Sequence, residues 1–167
     1  MRFSVARSEN IRSFTFGVED SLVSTVGLVS GVAVAGVSKP IIILTGVVLI
    51  FVEAFSMAVG TLLSDNSVKE FEKHSEVSLK TSIKSSLVMF FSYLFSGFIV
   101  LAPYMYFDKN LAICYSIVFS VITLFILGVV SARISKTSIL RKGFVMMGVG
   151  GLAILIGILV SSFVNRF

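Results

Sequence analysis

The sequence predicts an all-α integral membrane protein with five transmembrane helices, its N-terminus cytoplasmic and its C-terminus outside. Three observations carry this. The 167 residues are 56% hydrophobic and only 14% charged, with a mean hydropathy of +1.00, far more apolar than a soluble domain of this size. A helix needs roughly 20 apolar residues to cross a hydrocarbon core about 30 Å thick, and five separate stretches meet that length. The basic residues, finally, collect on one side of those stretches.

The spans fall at about 16–37, 41–63, 86–107, 111–132 and 144–164. They take up most of the chain, so residues 1–167 are expected to form a single transmembrane domain with a cytoplasmic loop at about 65–85. Ser38, Lys39 and Pro40 make one short turn and Asp108, Lys109 and Asn110 another, so spans one and two, and three and four, are antiparallel hairpins. The N-terminal MRFSVARSENIRSFTF mixes arginine with polar and acidic residues and has no short apolar core before a cleavage site, so no signal peptide is expected. Cys114 is the single cysteine. It excludes an intrachain disulfide and a cysteine-cluster metal site, and its place inside span four suits a small packing residue.

Eleven of the 14 basic residues lie on one side: Arg2, Arg7 and Arg12; Lys69, Lys73, Lys80 and Lys84; Arg133, Lys136, Arg141 and Lys142. Lys39, Lys109 and Arg166 remain for the other. The net charge of +5 is therefore a topology signal and not a nucleic-acid footprint, and the partner it implies is the lipid bilayer.

Acid inside a span needs an account, because an Asp at a helix centre costs about 2.5 to 3.5 kcal/mol on insertion scales. Three residues qualify: Glu19, Asp20 and Glu53. The first two sit near a helix N-terminus, where the macrodipole favours negative charge. Glu53 has no such setting, since IIILTGVVLIFVEAFSMAVGTLL surrounds it with apolar sequence. None of the five spans contains Lys, Arg or His. The partners left for Glu53 are a proton, a hydroxyl group or a mobile cation, and the last is what a transport site binds.

The neighbours favour the cation. Met57 follows Glu53 by four residues, so one helix face presents a carboxylate and, a turn later, a thioether. On the first span Gly17, Asp20, Ser24, Gly27 and Gly31 share a side, which predicts close packing of spans one and two, either together or against a second subunit. Hard oxygen with soft sulfur suits Fe(II) or Mn(II) better than Mg(II) or Ca(II). Without an intramembrane His or Cys cluster, a dedicated zinc or copper site is disfavoured.

At these residues the chain resembles a known family. Asp20-Ser21-Leu22-Val23-Ser24-Thr25, then Gly31-Val32-Ala33, then Glu53-Ala54-Phe55-Ser56-Met57-Ala58-Val59-Gly60 resemble the vacuolar iron transporter family, and SILRKGFVMMGVGG looks like that family's entry into its fifth helix. The resemblance implies a five-helix homodimer with an ion path between first and second helices at the subunit interface, carrying Fe(II) out of the cytosol in exchange for protons. It assigns Asp20 and Met57 to the path, with Glu53 in a variant of the second-helix motif. The chain departs from the family pattern in three places. Glu19-Asp20-Ser21 stands where Asn-Asp-Gly is frequent, Thr61 stands where a glutamate is frequent, and the glutamate-rich cytoplasmic metal-binding domain is missing, making this a short form.

In place of that domain the chain has SDNSVKEFEKHSEVSLKTSIKS, with Glu72 and Glu76 one helical turn apart if the helix continues. Interleaved lysines make a solvated charged face the better account of it than a metal site. The resulting expectation is a proton-coupled exporter of Fe(II), or of Mn(II), with no permanently bound cofactor. Glu19 and Asp20 would receive the ion and Glu53, Met57 and Ser24 would hold it deeper in. A prokaryotic cytoplasmic membrane is the expected location, a vacuolar-type membrane the alternative. The rivals are a carrier for a different divalent ion and a non-transporting membrane structural or interaction protein. No nucleophile and base pair or nucleotide loop suggests an enzyme.

Overall fold

The computed structural model describes residues 2–164, with side chains from residue 8 onward. Arg166 and the side chains of Arg2 and Arg7, counted above in the charge asymmetry, lie outside the described residues. Hydrocarbon offers backbone N–H and C=O groups no partner, so the apolar stretches satisfy them internally as helices. These are α1 (Arg2–Val34), α2 (Lys39–Lys73), α3 (Ile83–Tyr106), α4 (Lys109–Ser135) and α5 (Ile139–Val164), with one 3-10 turn at Leu79–Thr81. All five are long and apolar enough to cross a membrane, and no strand occurs among the described residues.

Local chemistry sets the ends. Gly36 takes a φ of +86° in the turn after α1, a conformation open to glycine without Cβ strain. Pro40 lies in the first turn of α2, where its missing N–H is no loss. α2 and α4 each stop at a left-handed residue, His74 (φ 49°) and Lys136 (φ 53°).

Two helices run well beyond their apolar spans. α1 begins at Arg2, so Glu19 and Asp20 lie in mid-helix and not, as expected, near an N-terminus where the macrodipole would favour them. α2 has 35 residues, about 52 Å at 1.5 Å per residue, so it projects past the hydrocarbon. The loop predicted at about 65–85 is therefore helical as far as Lys73, because hydrogen bonding along a helix does not stop where apolar sequence does. Glu76 falls beyond that helix end, so the shared face predicted for Glu72 and Glu76 does not form.

α3 holds the bundle together, packing on α1 and α2 and also on α4; α5 packs on α4 and α1. One apolar cluster joins Val18, Leu22 and Val26 of α1 to Val100, Leu124, Leu127 and Ile154. A second joins Val29 and Ala33 to Ile42, Ile50, Leu101, Tyr104 and Ala112. Hydroxyls cross between helices as well: Ser86 Oγ donates to the Ala58 carbonyl at 2.6 Å and Ser116 Oγ to the Val100 carbonyl at 3.0 Å.

The glycine face of α1 has other neighbours than its spacing suggests. Gly17 meets Met89 and Ser92 of α3, while Gly27 meets Gly157 and Gly31 meets Ser161, both of α5. Within the chain, these close contacts are made by α3 and α5 and not by α2. Spacing identifies a helix face but not the helix that covers it. Cys114 is likewise exposed on α4 and not packed.

The tightest backbone approach is in the hairpin of α4 and α5. A Cβ at Gly128 would lie 2.7 Å from both the Gly143 Cα and the Lys142 carbonyl oxygen, and backbone cannot swing aside as a side chain can. At Gly148 and Gly151 a Cβ would meet nothing within 4 Å, so of the glycines in MGVGG only Gly150, against Leu124, is a packing residue. Gly128→Val should destabilise the detergent-solubilised protein by about 1 to 3 kcal/mol through overpacking, whereas Gly148→Ala should be neutral or slightly stabilising. Thermal unfolding of the two variants beside wild type checks the contrast; equal melting temperatures for all three would refute the close approach.

Candidate cation site

The acids predicted to matter on spans one and two meet in the structure. Asp20 and Glu53 are each half-buried and lie within electrostatic reach of one another. Among the described residues neither pairs with a cation or accepts a hydrogen bond. Asp20 of α1 and Glu53 of α2 stand along the contact, or seam, between these two helices, with α3 packed against both.

Two ion pairs at the basic end set the register of that seam. Arg12 of α1 pairs with Asp65 of α2, and Glu9 with Lys69 at 3.3 Å. The helices are antiparallel, so eight residues up α1 and eight back along α2, about 12 Å, bring Asp20 to the height of Met57. Four more, about 6 Å, bring Ser24 to the height of Glu53. Gly46 packed against Val29 agrees with this alignment to within two residues. The alignment thus puts Asp20 level with Met57 and Ser24 level with Glu53, while Ser24 also lines a groove between α1 and α5.

α3 adds a residue that the sequence did not single out. Tyr93 is fully buried, its hydroxyl 2.8 Å from Ser24 Oγ, and it lies within electrostatic reach of both Asp20 and Glu53. Its backbone carbonyl accepts from Ser21 Oγ at 2.7 Å, so side chain and backbone both tie it to α1. One turn on, a Cβ at Gly97 would stand 2.7 Å from Ile50 and 3.0 Å from Ser21 Oγ. That glycine lets α1 and α2 close on α3 beside the acids.

Glu19 is not brought to the seam. One residue is a 100° rotation on a helix, and Glu19 lines a groove with Arg12, Ser131 and Lys142 on the side of α4 and α5. Glu72 and Glu76 are exposed and far along α2 or beyond it. No group of three or more His, Cys, Asp or Glu residues among the described residues is placed to hold a metal, so a single chain contributes two carboxylates to the seam.

Comparison with known proteins bears directly on this arrangement. The VIT family model matches residues 11–80 and 72–162, which takes in all five spans, and its two segments overlap in the connection between α2 and α3. The chain belongs to the VIT family. No curated protein matches it. VIT-family proteins are membrane metal transporters and not enzymes, and membership places this chain among them.

In this VIT-family chain the basic end of the seam is organised by Asp65, one helical turn beyond Thr61. Asp65 is only 3% exposed, pairs with Arg12 through one oxygen and accepts from Ser85 Oγ at 2.6 Å through the other. Lys69 adds bonds to the Thr81 carbonyl and Ser82 Oγ, both at 3.0 Å. Glu70 accepts from Asn66 Nδ2 at 2.8 Å and from the Val77 amide at 3.3 Å, securing the chain past the end of α2. The first turns of α1 and α3 are thus tied to the last turns of α2.

The two partners of Asp65 differ in exposure, which predicts an asymmetry. The Arg12 side chain is 63% exposed, so Arg12→Ala leaves a buried carboxylate that water only partly reaches. The loss should be about 1 to 3 kcal/mol, below the 3 to 5 of a fully buried pair. Asp65→Asn releases Arg12 to solvent and keeps an acceptor for Ser85, so it should cost less. Thermal stability of the two variants checks the order, and Asp65→Asn proving the more damaging would contradict it.

Proposed function

We propose that the protein exports Fe(II) from the cytosol, with Mn(II) as a second cargo, in exchange for protons, and works as a homodimer built across α1 and α2. The observation that carries this is the pair Asp20 and Glu53: two half-buried carboxylates on neighbouring membrane helices, within electrostatic reach of one another and with no fixed cation among the described residues. Two ionised carboxylates are neutralised equally by one divalent ion or by two protons. Metal and proton then become alternative occupants of the same oxygens, which is the chemical requirement for exchange.

Met57 gives the seam its preference, because a thioether beside a carboxylate favours Fe(II) and Mn(II) over Mg(II) and Ca(II). Direction follows from topology. The end holding the connections from α2 to α3 and from α4 to α5 carries most of the basic residues and is cytosolic by the positive-inside rule. The basic end is where cargo enters, in a prokaryotic cytoplasmic membrane. The exposed face of α2, with Phe51, Phe55 and Gly60, is the surface for the second subunit, and a two-fold axis beside it brings together two copies of each ligand.

Proteoliposomes with an imposed pH gradient test this. Fe(II) flux should follow the gradient and fall at least about tenfold in Asp20→Asn and Glu53→Gln, as expected for loss of a charged ligand. Met57→Leu should lower Fe(II) flux while narrowing discrimination against Mg(II). Glu19→Gln, in the neighbouring groove, should stay near wild type. Flux of a different divalent ion alone would reassign the cargo. A folded wild type that moves no divalent ion would leave a non-transporting membrane protein.

A further inference from the structure

We propose that Tyr93 is a positioning residue for the cation seam: its hydroxyl, held to Ser24, keeps a neutral oxygen pair beside Asp20 and Glu53 that serves both the loaded and the empty site. This rests on the transport reading above and adds a third helix to the site.

The argument begins with hydrogen-bond inventory. A buried phenol needs a partner, and Tyr93 has Ser24. Two hydroxyls joined by one hydrogen bond use one of their two hydrogens; the second stays free to be donated, and lone pairs stay open on both oxygens. When a divalent cation sits between Asp20 and Glu53, the pair turns lone pairs toward it. When the cation has left, the free hydrogen is there to be donated to whichever carboxylate swings within reach, neither accepting one in the present arrangement. A lysine or arginine at this position would stabilise the empty seam but repel the cargo. The neutral pair serves the empty seam without repelling the cargo, and its reach comes from a ring long enough to cross from α3 to α1 where Gly97 allows close approach.

The same interface contains an internal control. Tyr104, also on α3 and buried, bonds through its hydroxyl to Ser30 of α1 at 3.2 Å. It stands in the apolar cluster with Val29, Ala33 and Ile42. The hydroxyl bond is of the same kind and joins the same two helices, but no acid stands beside it. A purely structural role would make the two tyrosines equivalent.

Wild type, Tyr93→Phe, Ser24→Ala, the double variant and Tyr104→Phe are reconstituted, and Mn(II) flux is measured against Mn(II) concentration alongside thermal stability. Tyr93→Phe and Ser24→Ala should each raise KM for Mn(II) about tenfold, the scale of a hydrogen bond to a charged group, with kcat changed less than about threefold. The double variant should be no worse than the worse single, as for two residues acting as one unit. Tyr104→Phe should leave KM within about twofold whatever it does to stability. An unchanged KM in Tyr93→Phe, or an equal rise in Tyr104→Phe, overturns the assignment while leaving the transporter intact. A folded wild type that carries neither Mn(II) nor Fe(II) removes the transport reading and this assignment together.

Discussion

Inside a bilayer an apolar side chain gains nothing by leaving lipid for protein, so helices must be held by close contact and by hydrogen bonds that lipid cannot supply. Here α3 meets that constraint on behalf of the whole bundle. Apart from Met89, its buried face over about the first four turns is made of Ser85, Ser86, Ser92, Tyr93, Ser96 and Gly97, residues small enough for near approach or able to bond across helices. Each such bond is worth only about 0.6 to 2 kcal/mol, so the arrangement depends on their number and on the backbone contacts between them. Because α3 touches both α1 and α2, it fixes the gap between these helices, and that gap is the seam.

The seam differs from the rest of the core in what it leaves unpaired. At the basic end every carboxylate oxygen of Asp65 has a partner, and the ion pairs there clamp α1, α2 and α3 together. About 12 Å further in for Asp20 and about 18 Å for Glu53, at 1.5 Å per residue, the two acids have each other and no counter-charge. A protein that could pair Asp65 with an arginine had the same means for Glu53, and the seam omits it. Paired and unpaired acids thus occupy separate levels of the same two helices, the carboxylate satisfied at one and left without a cation at the other.

How much of this was legible follows from what a sequence can encode locally. The five spans were, because length and hydropathy are properties of one segment. Asp20 and Glu53 stood out because acid in hydrocarbon is costly wherever its neighbours lie. The helix ends were less legible, since an apolar count stops at the interface while α2 continues to Lys73. Tyr93 was hidden in FFSYLFSG, where a tyrosine looks like packing. Its meaning depends on which face of α3 turns to α1, and that is set by tertiary contact. Asp65 escaped notice because it lies just past the apolar span, where acid is unremarkable until the fold buries it. The glycine stripe of α1 was legible as a close-packing face, but its neighbours were not, for spacing carries no address.

Position on the α1 and α2 seam is narrower than the presence of acid suggests. Val52, one residue before Glu53, is 60% exposed, and Ala54, one residue after, is fully buried. A carboxylate moved one step backward would face hydrocarbon, and one step forward would be pressed into close-packed protein with no room for its oxygens. Of three consecutive positions only the middle one opens on the seam. Shifting the acid by a helical turn keeps the face but exchanges one level for another, so in the proposed transport mechanism the order in which a cation would meet the groups of α2 is written in its helical phase.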